Sequence, residues 1–197
     1  MELTSESISE HIPYYLTMPQ KQGLLKALQD FPSNTNYYLN GYENSLLQGD
    51  GWTKLQMRTF ETGAKESILG IILSNSCDMS PDNKRSMPPQ ITFAPLVPLR
   101  AYTSLLEQSG IDAGSINDKM TSIKDQRVTS VFFLPAGSGL QEDHIALLDM
   151  LYTMPAKVFE SESAKSKTFT LSLVGFYLFI FKLSVHFCRF GENLARN

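Results

Sequence analysis

Three stretches between residues 46 and 99 decide the fold: Leu46-Leu47-Gln48-Gly49-Asp50-Gly51-Trp52, Gly70-Ile71-Ile72-Leu73-Ser74-Asn75-Ser76-Cys77-Asp78 and Ile91-Thr92-Phe93-Ala94-Pro95-Leu96-Val97-Pro98-Leu99. Each is a short apolar run closed by a glycine, a polar cluster or a proline. That pattern predicts short buried strands joined by tight turns, which is how a small, bent β-barrel is written. Downstream, Arg127 to Leu134 reads as a strand, Pro135-Ala136-Gly137-Ser138-Gly139 as a turn, and His144 to Met154 as a further strand ended by Pro155.

The flanks read differently. Leu24, Leu25, Leu28 and Phe31 recur at helical spacing between Pro19 and Pro32, and a capping pattern at Thr4-Ser5-Glu6-Ser7 opens an earlier helix that Pro13 ends or kinks. Tyr37, Tyr38 and Tyr42 suit either a half-buried edge strand or a platform for stacking bases. Arg100 to Gln108 is a helix closed by Gly110, and a second helix falls between Asp112 and Gln126. Thr168 to Val174 alternates with period two, Gly175 breaks the pattern, and an aromatic-rich helix follows. The charge-free piece from Phe169 to Phe181 falls short of the roughly 20 residues a membrane span needs. In that helix Lys182, His186, Arg189, Asn193 and Arg196 share one side. Phe176, Phe179, Ile180, Leu183, Phe187 and Phe190 cover the other.

With 197 residues, 42% of them hydrophobic and 19% charged, the chain can bury one sizeable core without cross-links. Cys77 and Cys188 make no disulfide framework, and the acidic, polar start is not a secretory signal, so a cytoplasmic protein is expected. A net charge of -3 gives no global attraction to nucleic acid, so any such contact needs a local patch. The sequence shows no glycine-rich phosphate loop, no histidines at metal spacing and no Gly-x-Ser-x-Gly elbow.

The order of the strand motifs resembles the bacterial MazF/PemK toxins, SH3-like small barrels that cut single-stranded RNA. The likeness spans residues 46-99 and 127-155: a Gly-Asp-x-Trp opening at Gly49-Asp50-Gly51-Trp52, a buried strand ending in Leu73-Ser74, an Ala94-Pro95-Leu96 step, and a late strand pair in the right order. It implies an α+β fold in which an SH3-like barrel is decorated with N-terminal, inserted and C-terminal helices. The expected layout is one domain over 1-197: N-terminal helices in 1-35, barrel strands in 37-99 and 127-175, a helical insertion in 100-126 and a C-terminal helix in 176-197. It implies toxin-antitoxin or phage-defence work on RNA, or binding of a protein partner such as an antitoxin, with a possible homodimer, no cofactor and no membrane. The family's catalytic arginine and threonine, however, fall on Ile68 and Val97. Neither side chain can donate a hydrogen bond or a proton to a phosphorane.

Any chemistry must therefore use substitutes. A base and a cation are the minimum for 2'-hydroxyl attack on a phosphodiester, which points to Asp50 or Asp78 as base and Lys84, Arg85 or Arg100 as phosphate clamp. Trp52, Ser74, Cys77, Arg100, Lys182, His186 and Arg189 are the candidate contacts for nucleic acid or a partner. Cys77 also reads as a small buried hydrophobe, Asp78 as a turn cap, and the Lys182 stripe as a solvated face. Glu142-Asp143-His144 puts two carboxylates beside a histidine, although an exposed turn leading into a strand accounts for it equally. Three histidines and two cysteines do not spell a zinc site.

Overall fold

The computed structural model describes residues 35-59, 61-80, 83 and 86-187, together with Gln22, Lys26 and Phe31. The expected helices of 1-35, and the helix end from Cys188 through Arg189, Asn193 and Arg196, lie outside these residues. In chain order the elements are β1 Tyr38–Leu39, β2 Gly51–Arg58, β3 Lys65–Ile72, α1 Ser76–Met79, β4 Gln90–Pro98, α2 Leu99–Gln108, α3 Ala113–Lys124, β5 Val131–Leu134, β6 His144–Leu147, β7 Tyr152–Pro155, α4 Ala156–Glu160, β8 Lys167–Leu171 and α5 Leu173–Phe187. The class is α+β, as expected: among the described residues, five helices are set around one antiparallel sheet of eight strands.

The sheet runs β1-β8-β2-β3-β4-β6-β5, and β7 joins β4 beside β6. β4 carries most of this pattern. Its Phe93–Pro95 segment pairs with β3 on one edge, while on the other Gln90–Phe93 pairs with β7 and Leu96–Pro98 with β6. The change of partner falls at Ala94-Pro95. Proline has no N–H to give a ladder, so a central strand that contains one has to break its pairing or bend there. This explains why the single strand expected over 144-154 is two strands. β6 and β7 follow the two halves of β4, and a turn at residues 148-151 takes up the difference, with Met150 exposed at its tip.

The two ends of the sheet are brought together. Tyr38 Oη on β1 donates to Pro135 O just past β5 at 2.6 Å, and Gly139 N–H donates to Thr168 O on β8 at 2.9 Å. Inside lies a core of Ile71, Ala94, Phe132, Leu134, Ala146 and Phe169, on which Tyr37 and Phe179 close. A second cluster, built on Trp52, Leu55, Phe93 and Phe159, fills the space between β2, β4, β7 and α4. A third seats α2 and α3 on β5 and β6 through Leu99, Ile123 and Phe133.

α5 begins before the glycine expected to precede it. Ser172 caps the helix, its Oγ accepting from Gly175 N–H at 3.1 Å. Gly175 sits in the first turn because a Cβ there would run into the main chain of Tyr37. Gly70 is held by the same kind of limit, since a Cβ would lie 2.8 Å from Ala94 O and 2.9 Å from Leu55 Cδ1. Gly70→Ala is expected to cost about 2 kcal/mol, read as a lowered urea midpoint with an unchanged slope. An unchanged midpoint would show that β3 and β4 are free to part.

Candidate functional site

The loops at the start of β2 and after β3 form one polar cluster. Residues 47-50 turn back on themselves through Gly49 at φ 86°, a conformation that favours glycine. The turn is closed by Asp50 Oδ2, which accepts from Leu47 N–H at 2.8 Å. Gln48 fastens this turn to the next loop, its N–H donating to Ser76 Oγ at 2.9 Å and its Nε2 to Leu73 O at 2.7 Å. Ser74 in turn ties that loop to β4. Its Oγ accepts from Thr92 N–H at 2.8 Å and donates to Gln90 O at 3.3 Å.

Asp50 is wholly buried and pairs with Lys167 Nζ of β8 at 2.7 Å. Lys167 also donates to Tyr42 O at 2.7 Å and to Thr170 Oγ1 at 3.2 Å, and its ammonium lies 5.4 Å from the ring centroid of Trp52. Burial pushes the Asp50 carboxyl above the usual carboxylate range, against the downward pull of the Lys167 and Leu47 hydrogen bonds. Asp50 Oδ1 and Trp52 Nε1 have no hydrogen-bond partner. The pair fastens β2 to β8 and to the loop at Tyr42. A carboxylate that is sealed in and already engaged has no line of approach to a phosphodiester, so general-base work by Asp50 has no geometric support.

The other candidates are dispersed. Asn75 caps α1, its Oδ1 accepting from Cys77 N–H at 2.9 Å, and this turn presents both Cys77 and Asp78 to solvent. Cys77 is thus not the buried hydrophobe that its neighbours suggested. Lys84 and Arg85 lie outside the described residues. Arg100 opens α2 at the far end of β4 from Ser74 and forms an exposed ion pair with Glu142 at 2.7 Å. Trp52 is buried edge-on against Phe159 at 5.4 Å and offers no face for stacking. Asp143 bonds Ala136 N–H and Lys124, and His144 Nδ1 sits 2.7 Å from Glu142 O, so these three residues do not converge on a common point.

Lys182, where the basic stripe of the last helix begins, does not lie on a solvated face. Lys182 is buried, and its Nζ donates to the carbonyls of Gln126 and, at 2.7 Å, Val128, just past the C-terminal end of α3. Those carbonyls, with the helix dipole, supply what the apolar surroundings do not. Burial pushes the ammonium down to about 8. His186 is half-buried and edge-on to Phe187 at 4.7 Å, Phe187 itself being exposed, and Arg189 lies outside the described residues.

Sequence reasoning missed Lys167 and Gln126. The first left a trace, a lysine opening an alternating apolar strand. The second left none, because its role depends on contacts with Phe133 and Tyr37 that only the fold creates. Among the described residues no group of histidine, cysteine or acidic side chains is arranged to hold a metal ion, and no helix is long and apolar enough to cross a membrane. No protein-family model matches the chain, and no curated protein matches it.

Two outcomes follow from this geometry. Lys167→Met strands a buried carboxylate and is expected to cost about 3-5 kcal/mol, while Asp50→Leu/Lys167→Met recovers most of it, as chemical denaturation would show. Equal losses in the single and double variants would make the pair incidental. For Lys182, the folded state sheds a proton from pH 8 upward that the unfolded chain keeps until near 10.5, so the unfolded state binds more protons across that interval. Stability therefore gains with rising pH, by about 1 kcal/mol between pH 8 and 9, before tyrosine ionisation in the unfolded chain sets in near 10. The same titration on Lys182→Met is expected to be flat, and parallel curves would refute the assignment.

Proposed function

We propose that this chain is a small barrel of the MazF/PemK-like kind that works by binding a protein partner, with no ribonuclease chemistry of its own. The observation that carries this reading is the consumption of Asp50. The one acidic side chain of the Gly-Asp-x-Trp opening is locked to Lys167 inside the sheet and serves the fold.

Three further features support it. Ile68 lies in β3 opposite Leu55, and Val97 in β4 opposite Ile145, so both positions that the resemblance makes catalytic are spent on apolar strand pairing. Arg100 is engaged by Glu142, at the opposite end of β4 from Asp78. The sheet meanwhile brings β1 to the turn after β5, a curvature compatible with a small barrel. Binding needs only a shaped surface, whereas cleavage needs a base and a cation held within reach of one phosphate.

The test uses the purified full chain. Incubated in excess with a mixed RNA pool it is expected to leave the RNA intact, and tagged protein is expected to recover one stoichiometric partner that rebinds when purified. RNA cleavage that disappears with Asp78→Ala or with Lys84→Ala/Arg85→Ala would replace this reading with a nuclease whose site lies on the loop after β3.

A further inference from the structure

We propose that the Asn40-Gly41 step at the end of β1 is a site of spontaneous main-chain modification in the folded protein, with water as co-reactant and aspartate and isoaspartate at residue 40 as products. The proposal is independent of which partner the chain binds.

An asparagine followed by glycine turns easily on its own side chain, because glycine has no Cβ to block the approach of its nitrogen. The Gly41 nitrogen attacks Asn40 Cγ, the new N–C bond closes a succinimide ring, and the side-chain amide leaves as ammonia with the proton that the nitrogen gives up. Water then opens the ring. Addition at Cγ breaks the new bond and leaves an ordinary aspartate, whereas addition at the main-chain carbonyl breaks the original peptide bond and routes the chain through Cβ and Cγ.

Two steps in the sequence have the residues for this chemistry, Asn40-Gly41 and Asp50-Gly51, and the fold treats them oppositely. Asp50 is wholly buried, Gly51 is paired with Ile71 on one side and Phe169 on the other, and a Cβ on Gly51 would fall 2.3 Å from the Phe169 ring. No room is left there for a ring to close. Asn40 is exposed in the bend after β1, and Gly41 has open space where a Cβ would stand. Among the described residues neither the Asn40 carboxamide nor the Gly41 N–H has a hydrogen-bond partner. The bend also has a mechanical role. Gly41 lies at φ 115° and Tyr42 at φ 62°, a value that side chains rarely adopt. Tyr42 is held there by its carbonyl, which accepts from Lys167 Nζ at 2.7 Å and from Ser45 N–H at 3.0 Å. Isoaspartate adds a methylene to the main chain two residues before that carbonyl. The added length takes Tyr42 out of register with Lys167, the lysine that also neutralises Asp50.

The full chain is kept in warm, mildly alkaline buffer, folded and in parallel unfolded in urea. Samples are then digested, labelled with isoaspartyl methyltransferase and a radioactive methyl donor, and the labelled peptides sequenced by mass spectrometry. In the folded protein label is expected at residue 40, at a rate within about tenfold of that in urea, since an exposed bend costs little to rearrange. Label at residue 50 is expected in urea alone, slowed in the folded protein on the order of a thousandfold or more because it waits for unfolding. Asn40→Gln, whose longer side chain disfavours the ring, is expected to lose the label at 40, with circular dichroism confirming its fold. The aged chain is expected to unfold at a lower urea concentration than Asn40→Asp, which carries the new charge without the added methylene. Absence of label at residue 40 in the folded chain, or equal protection of residues 40 and 50, overturns the proposal. Equal urea midpoints for the aged chain and Asn40→Asp would overturn the link to Lys167.

Discussion

Pro95 sets the shape of the sheet. It stands inside β4, the strand that contacts β3 on one edge and two separate strands on the other, and its missing N–H lies where the partner changes from β7 to β6. A strand without that interruption would favour one continuous neighbour and a flatter sheet. With it, β4 belongs to two directions at once, so one half packs on α4 and the Trp52 cluster while the other carries β5, β6 and the helices above them. The closure that brings β1 to the turn after β5 follows from this curvature.

Charge is used inside this sheet mainly to fasten segments that strand pairing leaves apart. Lys167 holds Asp50, Tyr42 O and Thr170, linking β2, β8 and the loop after β1. Lys182 holds the chain leaving α3 against α5. Both are long cations that run an aliphatic stem through apolar surroundings and deliver several donors to oxygens at the far end. Removing Lys167 leaves the wholly buried Asp50 carboxylate without its cation. The exposed ion pairs Arg100–Glu142 and Arg127–Asp125 contribute far less, as solvent-screened pairs do.

Period and punctuation were enough to find most elements. The three runs between Leu46 and Leu99 became β2, β3 and β4, Gly110 closed α2 with φ 77°, and the alternation from Thr168 marked β8. What local pattern does not contain is where a side chain ends up once strands far apart in sequence meet. Lys182 shared a helical face with His186 and so resembled a wet stripe, yet that face turns toward the end of α3. Asp50 looked available because it follows a glycine in a turn, and only the arrival of β8 encloses it. Cys77 sits after an apolar run but belongs to a one-turn helix that Asn75 starts, and the turn rotates it outward. The split at residues 148-151 was invisible because it answers a bend in β4, not anything in its own composition.

The pairing of Tyr38 with Leu171 and of Leu39 with Thr170 joins residues from opposite ends of the described chain. During synthesis the first of these strands leaves the ribosome on the order of ten seconds before its neighbour exists. Through that interval Tyr38 lacks the Phe169 ring it packs against, and β1 lacks the strand it pairs with. Closure of the sheet therefore waits for β8 and is slow by the standard of helical proteins, and among the described strands β1 is the one left longest without its neighbour.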